Sequence, residues 1–456
     1  MRCELRHEKA IENEIYKLCA PSNGYLSSIF LILFVASFLI YLERDQLALL
    51  SLALAFFVVP FLLLTDKFVF DGNKIRRTGI FPKIWAFLNS KRTALRLEEI
   101  NKVETVALRV FRSGSKVFYR YRTMVRGEKA EFVLLSTNKS YRKFIKALAL
   151  KLPEEALDLK TIEIKHFLVD PKRLELESER LGLPSDEFLE ELIDKILREK
   201  NHRKNCSNLY PVTVEPEKID RLCKIGNQLK LSGHLLRALE CFRRSLFLNP
   251  SDAGLIFDYA RCLFSFADSE KNSKLKRRAI AALKLAEMHA KKDKRLLSLI
   301  AESYYLFGDL KNARKTFQKV LDLSVDGDFR SACGLAEIAL REGKLKQAVH
   351  YFSMASYFTQ HKSLKKWAES EAKYFSRLDT DYDYAEKEIA RMNWLKNVLV
   401  AKKISLKTAL LGFAAILIGI LTDDWLIDFG WAVSTLSLLC WLGFNASNSF
   451  LMERTP

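Results

Sequence analysis

Residues 222–250 read LCKIGNQLKLSGHLLRALECFRRSLFLNP. Leu222, Ile225, Gly226 and Leu229 share one face of a first helix, and Gly233 turns the chain. Ala238, Phe242 and Ser245 then form the facing stripe of a second helix, which Pro250 ends. The pattern returns in LSLIAESYYLFGDLKNARKTFQKVL (297–321) and in ACGLAEIALREGKLKQAVHYFSMA (332–355). A looser copy lies between the first two, with Tyr259, Ala260 and Leu263 on its first helix and Ala279, Leu283 and Ala286 on its second. Small residues at 226, 260, 301 and 336 mark where paired helices cross closely, and their steps are 34, 41 and 35. The longer step carries seven extra residues in the loop around ADSEKNSKLK.

These copies resemble the tetratricopeptide repeat, whose period is about 34. The resemblance implies an α-helical solenoid of about four repeats over 212–378, closed by a solvating cap helix at 364–378. Gln360 stands where the family usually has Pro, as befits the end of an array. Arrays of this kind expose a concave groove of first helices that takes a peptide or a partner's helix. The groove-side candidates are Asn227, Lys230, Arg261, Ser298, Glu302 and Tyr305. A subclass grips a C-terminal carboxylate with two Asn and several bases. Asn227 matches one Asn, but Cys223 replaces a Lys and Asp258 the second Asn, so such a clamp is not expected.

Outward from the repeats, four windows read as membrane spans: Tyr25–Leu42, Leu47–Leu64, Ile404–Leu421 and Trp425–Phe444. They pair into hairpins at 25–64 and 404–444. The turns between them, around Glu43–Gln46 and Asp423–Asp424, are acidic on balance. Lys67, Lys74, Arg76 and Arg77 follow the first hairpin, and Lys402, Lys403 and Lys407 lead into the second. By the positive-inside rule both termini and the central region face the cytosol. The 24-residue N-terminal segment carries four acids and no cleavage pattern, unlike a signal peptide. Pro60 is expected to kink the second span, and Ala415 with Gly419 to let helices approach closely.

The chain carries a formal net charge of +19, and bases exceed acids by 14 over residues 66–152 alone. Such a segment beside a bilayer is drawn to anionic headgroups. No nucleic-acid motif accompanies the charge, and no nucleic acid is expected as a partner. Residues 67–136 alternate as about six short strands, beginning with KFVF and Asp71-Gly72, and a helix from about Asn138 carries Tyr141, Phe144, Ile145, Leu148 and Leu152 on one face. The order of a hairpin, TDKFVF, the basic KIRRTGIF and LRLEEINKVE resembles the bacterial pleckstrin-homology-like, or membrane-flanked, domain. The resemblance covers residues 25–152 and implies a small antiparallel β-barrel-like module that binds or assembles without catalysing. Into this plan the chain inserts PKIWAFLNSKR. Arg76, Arg77, Phe81, Lys83, Ile84, Trp85, Leu88, Lys91 and Arg92 make it a candidate interfacial helix.

Residues 153–211 read as a linker. Its helix, starting near Pro184–Glu187, carries Phe188, Leu189, Leu192, Ile193 and Ile196, and Asn201–Pro211 is a hinge. A helical linker follows at 379–403, and the tail at 445–456 is cytosolic. The eight cysteines form no C-x-x-C pair and read as reduced and mostly buried; no metal or cofactor is expected. Phosphate-cradling glycine loops and nucleophile or zinc motifs are absent, so the chain reads as no enzyme. The fold class is a multidomain membrane protein with two hairpins, a small antiparallel β module and an α-helical solenoid. The function expected is a scaffold of a bacterial inner membrane that recruits a protein partner through the groove while the basic module lies on anionic lipid. Alternatives are a lipid-organising protein that self-assembles through its repeats, and an accessory subunit docked through its spans.

Overall fold

The computed structural model describes residues 15–88, 92–113, 116–128, 130–136, 140–167, 171–191, 216–452 and 454. They sort into two compact units, Met1–Ser28 with Phe57–Ala372 and Ile29–Phe56 with Lys373–Pro456.

Among the described residues of the first unit the solenoid has four helix pairs. They are α8 (Pro216–Ser232) with α9 (Leu235–Leu248), α10 (Ala253–Ser269) with α11 (Ser273–Ala290), α12 (Lys294–Phe307) with α13 (Leu310–Leu323), and α14 (Phe329–Arg341) with α15 (Leu345–Phe358). α16 (Lys362–Thr380) caps the array. The stripe residues Gly226, Ala260, Ala301 and Ala336 are buried, as are Phe242, Phe317 and Phe352. A Cβ at Gly226 would sit 3.0 Å from the Phe242 ring, which is the close crossing the small residue permits. Side-chain carboxylates of Asp252, Asp293, Asp309 and Asp328 cap helices across the array by accepting from backbone N–H groups.

The β module consists of two antiparallel sheets. One has the order β1 (Tyr16–Cys19), β2 (Lys67–Phe70), β3 (Lys74–Thr78), β4 (Ala94–Arg96); the other has β5 (Ile100–Ser113), β6 (Lys116–Gly127), β7 (Glu131–Leu135). No closed barrel forms among the described residues, which corrects the barrel-like expectation: β4 ends in a short 3₁₀ turn and β5 starts a separate ladder. The sheets share one core, in which Phe68, Phe70 and Ile75 meet Val103, Tyr121, Val125 and Leu134. Across its top lies α5 (Ser140–Lys151), burying Tyr141, Phe144, Ile145 and Leu148 as its periodicity predicts.

β1 is not legible in the sequence. Four residues from the supposed leader pair antiparallel with β2, from Tyr16↔Phe70 to Cys19↔Lys67. The first hairpin, α1 (Asn23–Tyr41) and the helix pair α2 (Asp45–Ala53) and α3 (Val59–Thr65), is thereby inserted between two neighbouring strands. A π-helical turn, Leu54–Val58, separates α2 from α3 just before Pro60, whose missing N–H interrupts the regular ladder. A buried knot fixes this base. Asp66 accepts from Tyr25 Oη at 2.7 Å and from Arg77 Nε and Nη2 at 3.0 and 2.6 Å.

Among the described residues, three helical stretches are long and apolar enough to cross a membrane: Gly24–Tyr41, Asp45–Thr65 and Asp424–Asn448. The expected span at Ile404–Leu421 is not among them: its residues form the end of a longer helix, α17 (Tyr382–Gly419), in which Lys402, Lys403 and Lys407 interrupt the apolar run. Within the second unit α17 packs on α18 (Asp424–Leu451) through glycine. A Cβ at Gly412 would meet Ser434 Oγ at 2.4 Å, and one at Gly430 would meet the Gly412 carbonyl at 2.8 Å. The close approach thus runs through Gly412, Gly419 and Gly430, with Ala415 half-buried. The Phe34 ring lies tilted against Trp431, with ring centroids 5.1 Å apart, and the Tyr41 hydroxyl donates to the Asp428 carboxylate.

The six described cysteines are free. Cys241 and Cys262 are buried while Cys19 and Cys440 are exposed, so the set is less buried than expected. Leu189 packs against Val117, Leu235, Leu236 and Phe266. Leu192, Ile193, Ile196 and the hinge at Asn201–Pro211 lie outside the described residues.

Candidate functional site

The concave side of the solenoid faces its own chain. Residues 154–163 and the outer edge of β5 enter the groove, and the contacts run from α8 to α16. Tyr121 Oη donates to the Leu231 carbonyl at 2.6 Å, and Val117 N–H donates to the Gly233 carbonyl at 3.0 Å. Arg109 reaches the Ser269 carbonyl at 2.6 Å, and Ser363 Oγ donates to the Ile100 carbonyl at 3.0 Å. Arg330 Nη2 donates to the carbonyls of Glu154 and Leu157, at 2.7 and 2.9 Å.

The strongest link is a buried charge cluster. Asp158 caps α6 (Leu159–His166) by accepting from Thr161 N–H at 3.0 Å, and this helix turns Glu163 into the groove. Glu163, 5% exposed, meets Arg261 at 2.7 Å, Lys230 at 2.8 Å and Lys160 at 2.9 Å. Burial alone would push this carboxyl up, but Arg261, Lys160 and Lys230 outweigh it and hold the group well below the ordinary 4.5. Asp158 shows the opposite balance. Burial pushes it up to about 6 despite its hydrogen bonds to Thr161.

What the chain leaves open in the groove is a cleft of about 560 Å³, in the size range of ligand pockets. Its walls are β5 from Asn101 to Ala107 and the first helices of the repeats, with Arg261 and Ser265 on α10, Tyr305 and Phe307 on α12, Glu337 on α14 and Trp367 on α16. The charges here are largely paired: Lys102 lies between Glu104 at 2.7 Å and Glu337 at 3.5 Å, and Arg330 pairs with Glu302.

Of the six groove candidates, Lys230, Arg261, Glu302 and Tyr305 line this cleft. Lys230 and Arg261 are committed to Glu163. Asn227 and Ser298 lie elsewhere, inside the repeat packing. Asn227 Nδ2 donates to Asp258 at 2.8 Å, and Ser298 Oγ donates to Asp328 at 3.2 Å. Glu163, Arg330, Lys102, Glu337 and Trp367 are site residues that sequence reasoning did not find. Each is joined to its partners only by the fold.

The candidate interfacial residues cluster at the base of the first hairpin. α4 (Ile80–Leu88) follows Gly79, whose φ is +144° and where a Cβ would lie 3.1–3.2 Å from Asp66 Cα, Thr65 O and Pro82 Cδ. It exposes Ile80, Phe81, Ile84 and, most of all, Phe87 at 86%. The Phe81 ring stands edge-on to Tyr25, 5.9 Å between centroids. Lys83 is exposed, Arg76 pairs with Asp71 at 3.3 Å, and Arg92 pairs with Glu99 at 3.3 Å. Arg77 differs from the others because its guanidinium is bound to buried Asp66. The side chains of Trp85 and Leu88, and all of Lys91, lie outside the described residues.

No family model matches the chain, and no curated protein does. Among solved structures it is similar to MamA at 16% identity, over 42% of this chain and 96% of that one, with a TM-score of 0.27. TTC0263, a thermophilic TPR protein of Thermus thermophilus, gives 18% identity over 44% of this chain and 97% of that one, with a TM-score of 0.29. PilF of Pseudomonas aeruginosa gives 17% identity over 50% and 97%, with a TM-score of 0.30. Scores this low say nothing of function, and the helical-repeat reading rests on the helix pairs themselves.

Proposed function

We propose that this chain is a non-catalytic, membrane-anchored scaffold that holds a segment of a protein partner at the cytosolic face of a bacterial inner membrane. The observation that carries the proposal is the cleft between β5 and the first helices. It belongs to the same unit as the base of an apolar hairpin, so whatever occupies it is held beside the bilayer. The paired charges of the lining suit a neutral, partly apolar segment better than a carboxylate terminus. The β module, which resembles the pleckstrin-homology-like family, serves in this reading as one wall of the partner site and as the link to the membrane.

A photo-crosslinking side chain at Tyr305, introduced into the full chain in cells, tests the partner. A discrete protein adduct in the membrane fraction is expected, with none from the same group at exposed Val325. Equal adducts from both positions, or none from Tyr305, would refute recruitment through the cleft.

A second reading, direct lipid contact, is favoured by α4. It follows Gly79, which lies against Thr65, the end of the Asp45–Thr65 stretch, and it exposes Lys83 as well as Ile80, Phe81, Ile84 and Phe87. That arrangement suits an interfacial helix on anionic lipid. A bilayer-confined carbene label on proteoliposomes should mark residues 80–88 along with the three apolar helices. Labelling of the helices without α4 would reject the interfacial reading, and labelling of neither would reject the membrane anchor.

A further inference from the structure

Residues 103–109 carry an unfinished strand edge into the cleft. Among the described residues β5 pairs along its length only with β6, with Val103↔Val125, Thr105↔Thr123 and Ala107↔Tyr121 opposite one another. On its other side it makes, among the described residues, one parallel bridge, Val103↔Leu157, in which Asp158 N–H donates to the Val103 carbonyl at 3.1 Å. Because backbone groups alternate sides along a strand, the N–H and C=O of Thr105 and Ala107 point the same way as the Val103 carbonyl. β6 shows the matching alternation: Tyr121, opposite Ala107, spends its N–H on Ser136 Oγ at 2.7 Å and its carbonyl on Ser136 N–H at 2.9 Å, on the β7 side. The Thr105 N–H turns to the Asp158 carboxylate. That leaves the Thr105 carbonyl and both backbone groups of Ala107 without a partner among the described residues. Thr105, Val106 and Ala107 all line the cleft.

We infer that the cleft takes an extended polypeptide segment by strand addition, the partner continuing along β5 the pairing that the chain's own Leu157 begins at Val103. The inference deepens the scaffold reading and rests on it. Unpaired backbone donors and acceptors at strand spacing are recognised by another polypeptide backbone, and side chains pointing to alternate faces supply the selectivity. Tyr305 and Phe307 lie across the cleft, where an apolar side chain of the added strand would rest. Arg109, held to the Ser269 carbonyl, and the bulge between Arg109 and Phe111 end the free edge. The site is therefore short, and its partner is a linear motif rather than a folded domain.

The test uses the full chain in nanodiscs and two probes, a fluorescent acetyl-Val-Thr-Val-Thr-Val amide and its fully N-methylated analogue. The plain peptide should bind at concentrations below about 1 mM. The methylated one, which keeps the side chains but lacks backbone donors, should bind at least about tenfold more weakly. In the protein, Ala107→Pro removes the outward N–H without touching the ladder to β6, and should weaken binding similarly, whereas Ala107→Val should not. Unchanged circular dichroism and melting of Ala107→Pro guard against misfolding. Binding of both peptides within about twofold would overturn strand addition while leaving a side-chain site in the cleft. No binding of either peptide, with a protein adduct still formed at Tyr305, would also overturn it and leave the scaffold standing. Loss of both the adduct and peptide binding would remove both proposals.

Discussion

Glu163 is the residue on which the grip of the solenoid on its own linker should depend. It is a buried carboxylate serving three cations, and Lys230, on the wall of the cleft, is itself only 2% exposed. Glu163→Gln preserves shape and one acceptor but leaves Lys230 and Arg261 without a counter-charge. Breaking a buried ion pair from one side costs about 3–5 kcal/mol. The lower end applies here, because Lys160, 22% exposed, can turn outward. A loss of about 3 kcal/mol corresponds to roughly 100-fold faster opening. Hydrogen exchange of the α6 amides in the detergent-solubilised chain should accelerate by that factor, while amides of α12 and α13 change little. An acceleration below about fivefold, equal to roughly 1 kcal/mol, would refute the claim that this cluster holds the segment in the groove. Acid supplies an independent check. The native carboxyl titrates well below its ordinary 4.5, so its contribution is complete above that value. The contribution declines as pH falls through the lower native value, and α6 should open there first.

Asp158 carries the opposite sign. Its native value of about 6 against an ordinary 3.8 means that stability is lost as pH rises across that interval, by about 3 kcal/mol at about 1.4 kcal/mol per pH unit. Asp158→Asn, which still caps α6, should flatten the melting temperature between about pH 4 and pH 7 in thermal scans. Gly233→Ala should destabilise the β module and the solenoid together. The residue sits at φ +90°, and a Cβ there would lie 1.8 Å from the Val117 carbonyl oxygen; a drop in melting temperature of several degrees is expected, and an unchanged midpoint would contradict the junction. Asp66→Asn should loosen the base of the first hairpin, read as faster proteolysis after Arg76 or Arg77 in proteoliposomes, because it weakens the bidentate Arg77 pair.

The repeats were legible because each copy satisfies its own packing locally. Gly226 lies under Phe242, and Ala301, Ala313 and Phe317 share one buried cluster, each set within one period. Three of the four expected apolar helices were legible for a similar reason, since length and composition decide them. The β module was half legible. Alternation located the strands after residue 67, but four residues at Tyr16–Cys19 carry too little pattern to announce a strand whose partner lies beyond two helices. The candidate site was the least legible part. Lys230 and Arg261 occupy positions that face a groove, but the acid that binds them sits in TIEIKH, far away in sequence, where nothing local distinguishes it from a solvated Glu. The groove was expected to be open, and its partial filling depends on contacts such as Arg330 to Glu154 and Tyr121 to Leu231, which no single period encodes.

The pairing of β1 with β2 also sets an order of events during synthesis. β1 leaves the ribosome first, yet its partner strand emerges only after the whole first hairpin has been made. Sheet completion therefore waits on the return of the chain at Asp66, and a hairpin that failed to turn back would leave β1 on the wrong side of the bilayer in the proposed topology. The β module would then lack an edge strand and the burial of Leu18 and Ala20. If the hairpin spans a bilayer as proposed, closing this sheet becomes a proofreading step for its insertion, because only a hairpin that has looped back brings β2 to β1.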